Sequence, residues 1–334
     1  MLTLVELGWE QWILYWHKIE HANLLQSWEY GEAKQKAQGW KPSRYLIQDE
    51  EERALGLVQI LSRTLPFLGG VARINRGPLW FSSSPDEGRR ASETSHALAA
   101  VLRLASGKRW WYLSVAPEVT ETHPAREGIE KLGFRPARNP TFGSTVLSLE
   151  HTKDELFKNL KGKWRNLLRK AQRLDLNVRL SSSSSDIDYL IKSYAKMQQQ
   201  AGFKGMPEKI IRHMFSMSTR DCDSTLLLAE TEDSTLPVGM LVSMGNGDTC
   251  TYIIGWTSNE GRKFQANYIL LWEAIILAKE RGYRWFDLGG LSSSTPKGIA
   301  HFKSGICGTP YNLVGEWQWN ITNKKKLMQK NPFN

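Results

Sequence analysis

The sequence has few cysteines and no long apolar run, and it does not begin like a secreted protein. Its three cysteines, Cys222, Cys250 and Cys307, are far apart and form no C-x-x-C pair, which argues against a zinc site or a disulfide framework. No run of about 18 uncharged apolar residues occurs, so no membrane-spanning helix is predicted. The first residues contain three glutamates and lack the basic start and small-residue cleavage site of a signal peptide. We therefore expect a cytoplasmic protein.

Residue arrangements typical of covalent or metal-dependent catalysis are also missing. The seven histidines show no metal-ligand spacing, and no Ser-His-Asp or Cys-His arrangement can be recognised. Any chemistry is therefore expected to rely on orientation and charge, without a covalent nucleophile or a metal.

The length and the net charge of the chain indicate how many domains it has and what kind of partner it binds. A chain of 334 residues is long for one hydrophobic core, so two domains are predicted. The chain carries 44 Lys and Arg against 34 Asp and Glu, a formal net charge of +10. This excess favours an anionic partner such as RNA, a nucleotide-linked substrate or an anionic membrane face.

The order of predicted elements is repeated in the two halves. In each half, hairpin strands are followed by an apolar helix and then by an aromatic strand, KRWWYLSV at 108–115 and YRWFDLGG at 283–290. Helices are also predicted over 4–20, 26–38 and 151–174. The pattern predicts two copies of one α+β domain, at 1–150 and 151–334.

The stretch from Arg284 to Gly308 is the first candidate site. It runs from a short apolar strand through Gly289-Gly290 and a Ser/Thr/Pro loop to an apolar segment ending at Lys303. A glycine pair lets a ligand or another backbone come close, because no Cβ is in the way. Lys303 is suited to a phosphate or to the oxygen charge of a transition state. The alternative is a solvated surface lysine.

The predicted helix at 151–174 is the second candidate site. Seven cations between Lys158 and Arg173 alternate with an apolar stripe, a pattern suited to lying along a phosphate backbone. The alternative is a solvated basic face. The candidate RNA contacts are Lys161, Lys163, Arg165, Arg169 and Lys170.

Four short motifs in order resemble the Fem family of aminoacyltransferases, which transfer amino acids from aminoacyl-tRNA to the peptidoglycan stem peptide. They are QSWEYGEAKQKAQGW (26–40), RGPLW (76–80), KWRNLLRKAQRLDLNV (163–178), and FDLGG followed by FKSGICG (286–308). The resemblance runs nearly end to end. It implies an α+β fold of two tandem GNAT-like domains, with mixed sheets flanked by helices, in the compact form that lacks a helical arm.

The resemblance also implies roles for individual residues. Lys303 would stabilise the oxyanion formed when an amine attacks the aminoacyl ester, and Phe302 would contact the tRNA end. Lys34 matches a first-domain lysine that binds the phosphates of the nucleotide-linked substrate, with Lys36 as the alternative. Further substrate contacts are expected at Tyr252, Asp287, Gly289, Gly290 and Lys204.

The same resemblance implies how the domains and partners are arranged. The first domain would bind the acceptor, a UDP-MurNAc-peptide or a lipid-linked precursor, and the second would bind tRNA. Aminoacyl-tRNA is the co-substrate and no other cofactor is implied. Peripheral contact with an anionic membrane face fits the charge, and a monomer is favoured.

Two positions depart from the family pattern. Ala116 precedes Pro117 where family members commonly have an acid, so no general base is available there. Near Met206-Pro207 a phosphate-binding arginine is missing. Lys204 could replace it, but a lysine is a point charge and not a bidentate fork.

Three other functions compete with this one. An acyl-CoA-dependent N-acyltransferase would share the fold, but the turn at 259–267 has one glycine and lacks the Q/R-x-x-G-x-G/A spacing. A tRNA-dependent transferase could use an acceptor unrelated to the cell wall. A non-catalytic RNA-binding protein would use only the basic helix.

Overall fold

A computed structural model describes residues 1–81, 86–137, 142–218, 222–291 and 295–321. The strands are β1 (Thr3–Glu6), β2 (Lys41–Gln48), β3 (Ala54–Leu65), β4 (Gly69–Asn75), β5 (Leu79–Trp80), β6 (Trp110–Ala116), β7 (Arg135–Pro136), β8 (Gly143–Ser148), β9 (Asn177–Ser181), β10 (Ser224–Glu230), β11 (Gly239–Asn246), β12 (Thr249–Thr257), β13 (Trp285–Asp287), β14 (Thr309–Asn312) and β15 (Trp317–Asn320). The helices are α1 (Trp9–Trp16), α2 (Trp28–Gln38), α3 (Glu87–Gly107), α4 (His123–Lys131), α5 (Lys153–Asn159), α6 (Gly162–Arg173), α7 (Ser184–Ala201), α8 (Glu208–Ser216), α9 (Asn259–Lys263), α10 (Ala266–Glu280) and α11 (Lys297–Ser304). Residues 292–294 of the predicted serine loop lie outside the described residues.

The described residues divide into two compact units. Unit 1 comprises 1–143 and 311–321, and unit 2 comprises 144–291 and 295–310. This division differs from the predicted domains, 1–150 and 151–334, because the chain returns to unit 1 at its end. Strand β15 pairs with β6, with Trp317 opposite Val115 and Trp319 opposite Leu113.

Both sheets are mixed, as the two-domain GNAT-like prediction requires. The first has the order β1-β2-β3-β4-β6-β15-β7, with β5 on β3, and the second has the order β14-β8-β13-β12-β11-β10-β9. In each sheet an antiparallel meander ends in one parallel pair, β4 with β6 and β12 with β13. A helix, α3 or α10, connects the two strands of the pair. The repeat seen in the sequence is therefore a repeat of this topology, and the predicted fold class is confirmed.

Apolar side chains of the sheets and helices form the cores. Trp317, Leu113 and Phe134 are fully buried in unit 1, and Trp272 and Phe286 in unit 2. Each buried side chain of this size contributes about 1.5–3 kcal/mol of transfer free energy, so these positions fix the sheets on which the sites stand.

Three predicted segments have a different local structure. The helix predicted over 4–20 begins only at Trp9, because β1 pairs along β2 and Gly8 separates it from α1. The helix predicted over 151–174 is broken at Leu160, whose extended backbone directs a buried side chain into the core. The segment ending at Lys303 is helical and follows Pro296.

Among the described residues, no helix combines the length and the apolar character that crossing a bilayer would require.

Candidate functional site

The site in unit 2 begins where the parallel strands β12 and β13 separate. They pair from Thr249 opposite Trp285 to Thr251 opposite Asp287, after which β13 ends and β12 continues. The chain then turns at Gly289, which has φ 68°. A Cβ at Gly289 would lie 2.5 Å from the backbone oxygen of Tyr252. Only glycine fits this turn, and the close approach is to the backbone of β12.

Lys303 projects from α11 onto this turn. Its side chain is 6% exposed, and its Nζ donates hydrogen bonds to the backbone oxygens of Gly289 and Gly290, each at 3.2 Å. The same Nζ lies 5.1 Å from the centroid of the Tyr252 ring. An ammonium group has three N–H donors. Within the described part of the chain two of them are engaged, which leaves the third for a ligand.

Burial changes the protonation of this lysine. Desolvation lowers the pKa of Lys303 to about 8, and the negative charge of Asp287 opposes that shift. Asp287 is itself buried and accepts hydrogen bonds from the Ser144 hydroxyl and, at 2.8 Å, from the Gly289 amide. Asp287 therefore holds the glycine turn and favours the charged form of Lys303.

Phe302, the neighbour of Lys303, packs in an aromatic cluster. Its ring centroid lies 6.0 Å from that of Trp164 and 5.1 Å from that of Tyr268. Trp164 also donates from its indole nitrogen to the Phe302 backbone oxygen at 3.1 Å. Since Trp164 belongs to α6, this cluster fixes the basic helix beside the lysine.

Helix α6 is amphipathic, as the sequence indicates. Trp164, Leu168 and Ala171 are buried at helical spacing, whereas most of its cations are exposed. Arg165 donates to the Lys158 backbone oxygen at 2.8 Å, and the Arg169 guanidinium lies 5.2 Å from the Phe157 ring centroid. Lys161, Lys163 and Lys170 are exposed, and no described carboxylate forms an ion pair with any of these five cations. The face is therefore free to bind an anion.

Lys204 lies on the exposed loop between α7 and α8. A Cβ at the next residue, Gly205, would lie 1.7 Å from the Tyr194 hydroxyl, so the loop packs tightly on that tyrosine. Burial raises the pKa of Tyr194 and of Tyr252, and the electrostatic effect of Tyr194 raises the pKa of Tyr252 further. Both hydroxyls are therefore neutral near pH 7 and can act as hydrogen-bond donors or acceptors.

The two candidate lysines of α2 in unit 1 differ in exposure. Lys36 is exposed, whereas Lys34 is buried and its Nζ contacts the side-chain oxygen of Gln38. Burial, together with the positive charges of Arg73 and Arg63, lowers the pKa of Lys34 to about 8. Three cations thus stand close together in this unit, an arrangement that suits a phosphate group.

An acidic residue, Glu118, directly follows Pro117 at the end of β6. Glu118 pairs with Arg76 of the RGPLW motif, with 2.7 Å between Arg76 Nε and Glu118 Oε2. Arg76 also donates to the Tyr311 hydroxyl at 2.9 Å. Glu118 is therefore engaged in an ion pair with Arg76.

The backbone amides at the starts of α9 and α3 are the positions where a phosphate could be bound at a helix N-terminus. At α9 the Gly261 amide donates to the Ser258 hydroxyl at 3.0 Å, and a Cβ there would lie 2.1 Å from the Val238 backbone oxygen. At α3 the amides of Gly88 and Arg89 donate to the Asp86 carboxylate at 2.9 and 3.1 Å. These amides are occupied within the protein, which leaves them unsuited to a pyrophosphate.

Sequence reasoning missed three parts of the site. Ser144 and Tyr194 carry no local signal, because each acts only after distant segments pack together. Tyr268 has the spacing of an ordinary core residue of α10 and contacts Phe302 only through the fold.

Replacing Lys303 should increase stability. Because the folded pKa is lowered from 10.5 to about 8, charge burial costs stability below pH 8, and the cost is relieved as the pH rises to 10.5. The shift corresponds to an order of magnitude of ~3 kcal/mol. We expect Lys303→Met to raise the free energy of unfolding at pH 7 by about 1–3 kcal/mol, and the gain to shrink at pH 10.

Chemical denaturation at both pH values checks this expectation. Lys297→Met, an exposed position on the same helix, is the control and should change little. A Lys303→Met protein less stable than wild type at pH 7 would show that the lysine is a structural group.

Residues 157–304 match the acetyltransferase (GNAT) domain family, a range that contains α6, both strands of the parallel pair and Lys303. A comparison with curated protein sequences finds no match.

Solved structures share the fold over nearly the whole chain. FemX aligns with a TM-score of 0.77 at 15% identity, covering 98% of this chain and 99% of that chain. A tandem GNAT protein from the clavulanic acid biosynthesis pathway aligns with a TM-score of 0.55 at 13% identity, covering 96% and 98%. A conserved protein of unknown function from Bacteroides thetaiotaomicron VPI-5482 gives 0.56 at 10% identity, covering 95% and 99%. The chain therefore has a FemX-like fold of two GNAT-like units, as the Fem resemblance predicted, with no helical arm in the described part of unit 2.

Proposed function

We propose that this protein transfers the amino acid of an aminoacyl-tRNA to an amine of a peptidoglycan precursor stem peptide. The observation that carries the proposal is the Lys303 ammonium group, buried on the glycine turn with two N–H donors engaged. A charge held in a water-poor site by fixed carbonyls is suited to an oxyanion that develops during acyl transfer.

The reaction needs little else from the protein. The acceptor nitrogen attacks the ester carbonyl carbon, a C–N bond forms, and the carbonyl oxygen becomes an oxyanion beside the third N–H of Lys303. The C–O bond to the tRNA ribose then breaks, and the proton lost by the amine goes to the departing ribose oxygen. Because an ester is exchanged for an amide, orientation and oxyanion stabilisation suffice, and no covalent nucleophile is required.

The donor would be bound by the basic helix α6. Lys161 at its N-cap and Lys163 and Lys170 within it are exposed, and no carboxylate in the described part of the chain pairs with them. The buried Trp164 holds the helix against Phe302. Phosphates bound along α6 would thus lie close to Lys303, with Phe302 at the tRNA end. Arg165 and Arg169 have protein contacts of their own and would add charge more than new hydrogen bonds.

The acceptor would be bound through its diphosphate in unit 1. Lys34, with Arg63 and Arg73 close enough to lower its pKa, is the cation cluster that fits a UDP-linked or lipid-linked precursor. Lys204 and Tyr252 are the further substrate contacts that we propose near the glycine turn. Such an enzyme would act in the cytoplasm.

Two other functions have less support. Acyl-CoA would need free amides at a helix start, and those of α9 and α3 are bonded to Ser258 and Asp86. A non-catalytic RNA-binding protein would gain nothing from a buried lysine with a lowered pKa, since such burial costs stability.

Transfer assays with radiolabelled aminoacyl-tRNA test the proposal directly. Mixed aminoacyl-tRNAs are incubated with a UDP-linked or lipid-linked precursor, and acetyl-CoA replaces the tRNA in a parallel reaction. We expect transfer from tRNA only, and a loss of about 10²–10³-fold in rate for Lys303→Met.

Lys297→Met is the matched control for that assay and should keep the wild-type rate, because its side chain is exposed at the start of the same helix. Full turnover by Lys303→Met would remove the role of the lysine. Label transferred from acetyl-CoA in place of tRNA would favour the acyl-CoA-dependent enzyme.

The α6 cations should determine how tRNA binding depends on salt. Each lysine that neutralises a phosphate adds about 0.7–0.9 to the slope of log K against log salt concentration. Replacing Lys161, Lys163 and Lys170 by glutamine should therefore weaken tRNA binding at low salt and reduce the slope by about 2. Filter binding over a salt series measures both quantities.

A second triple variant controls for total charge. Lys192, Lys196 and Lys209 are exposed on α7 and α8, and their replacement by glutamine should leave the slope nearly unchanged. Equal slopes in the wild type and the α6 variant would identify α6 as a solvated basic face.

A further inference from the structure

The hairpin between β3 and β4 ends in an apolar tip, Leu65-Pro66-Phe67-Leu68, that points into solvent. Phe67 is 99% exposed and Leu68 is 73% exposed. Phe67 also has φ 65°, a left-handed backbone conformation that bulky residues rarely adopt. Contiguous exposed apolar side chains commonly mark an interaction site, and strained backbone conformations cluster at functional sites.

The tip borders an apolar groove of unit 1. The groove has a volume of about 900 Å³, and its floor includes Leu102, Trp110 and Trp319. Leu68, Trp111 and Ile321 also line it, and Trp111 is 45% exposed. Of the eleven large apolar side chains exposed in the described part of the chain, five belong to the tip or the groove. Nearly half of these exposed apolar side chains therefore lie on this one surface.

The rim of this groove is positively charged. Arg103, Arg109 and Lys131 line it, and none of its lining residues is acidic. Lys131 is bonded to Glu127 at 2.7 Å, a surface ion pair of the kind that contributes little. Lys108, next to Arg109, is exposed as well.

We propose that this surface, the tip 65–68 with the groove and its cationic rim, docks unit 1 onto an anionic lipid bilayer. Phe67 and the leucines would enter the interface between headgroups and acyl chains, and Trp111 would lie at headgroup level, where tryptophan is favoured. The cations would face the lipid phosphates. The proposal stands apart from the transfer reaction, since it uses no residue of either proposed substrate site.

Charge favours a bilayer over the other occupants. A second copy of the chain would bring two cationic rims together. Residues 322–334 contain four lysines and no acid, so they too would meet like charge in the groove. RNA would satisfy the cations and could stack a base on Phe67 or Trp111, but it would leave the exposed leucines, Leu65 and Leu68, without an apolar environment.

Vesicle flotation of the full chain tests the docking. Vesicles of phosphatidylcholine mixed with phosphatidylglycerol should bind the protein, and vesicles of phosphatidylcholine alone should bind it much more weakly. The double variant Phe67→Ser, Leu68→Ser should lose about tenfold or more in affinity. Arg109→Gln with Lys131→Gln should lose about fivefold per cation.

Matched variants separate this surface from general effects. Leu14→Ser removes an apolar side chain that is 69% exposed on α1, and Lys192→Gln with Lys196→Gln removes two exposed cations from α7. Both should bind vesicles nearly as the wild type does.

Several results would overturn the proposal. Equal vesicle binding by the wild type and the tip variant would show that the tip does not bind lipid. A dimer in sedimentation that the tip variant alone fails to form would identify a second copy as the occupant, and tRNA binding lost in the tip variant without any vesicle binding would identify RNA. Stronger vesicle binding by a chain ended after Ile321 would identify the C-terminal segment as the occupant.

Discussion

The site in unit 2 depends on one interaction, the pair of hydrogen bonds from the Lys303 ammonium to the backbone oxygens of Gly289 and Gly290. Those oxygens are in place because Gly289 adopts a positive φ and lies against the backbone of Tyr252, where no side chain would fit. Asp287 fixes the same turn through the Gly289 amide and opposes the desolvation of the lysine. The separation of β12 from β13 thus creates the space that the ammonium occupies.

The fold could be predicted further than the site. Apolar periodicity and the repeated aromatic strands at Trp110 and Trp285 indicate two α+β units, because burial patterns are local features of a sequence. The return of β15 to unit 1 could not be predicted in this way, since a strand pairing over about two hundred residues leaves no local trace. Lys303 can be proposed from its neighbours in sequence, but Ser144 and Tyr268 join the site only through tertiary packing.

The net positive charge is divided among surfaces of different character. On α6 the cations lie beside the buried Trp164 and pair with no carboxylate among the described residues, an arrangement suited to a phosphate chain. Lys34 is buried near two arginines, which suits a compact anion. The groove beside the β3–β4 hairpin combines cations with protruding apolar side chains, which suits a bilayer. Total charge alone does not distinguish these surfaces, whereas the burial and the neighbouring side chains of each cation differ from one surface to the next.

The central claim is that Lys303 acts as a charged ammonium group during transfer. The pH dependence of kcat/KM for tRNA-dependent transfer tests this claim most directly. With a pKa of about 8, the wild-type ammonium is lost as the pH rises, so kcat/KM should fall above pH 8. In Lys303→Arg the guanidinium stays charged, and the falling limb should disappear even though the rate is lower. A wild-type kcat/KM that continues to rise through pH 9 to 10 would contradict the account, because the neutral amine would then be the active form.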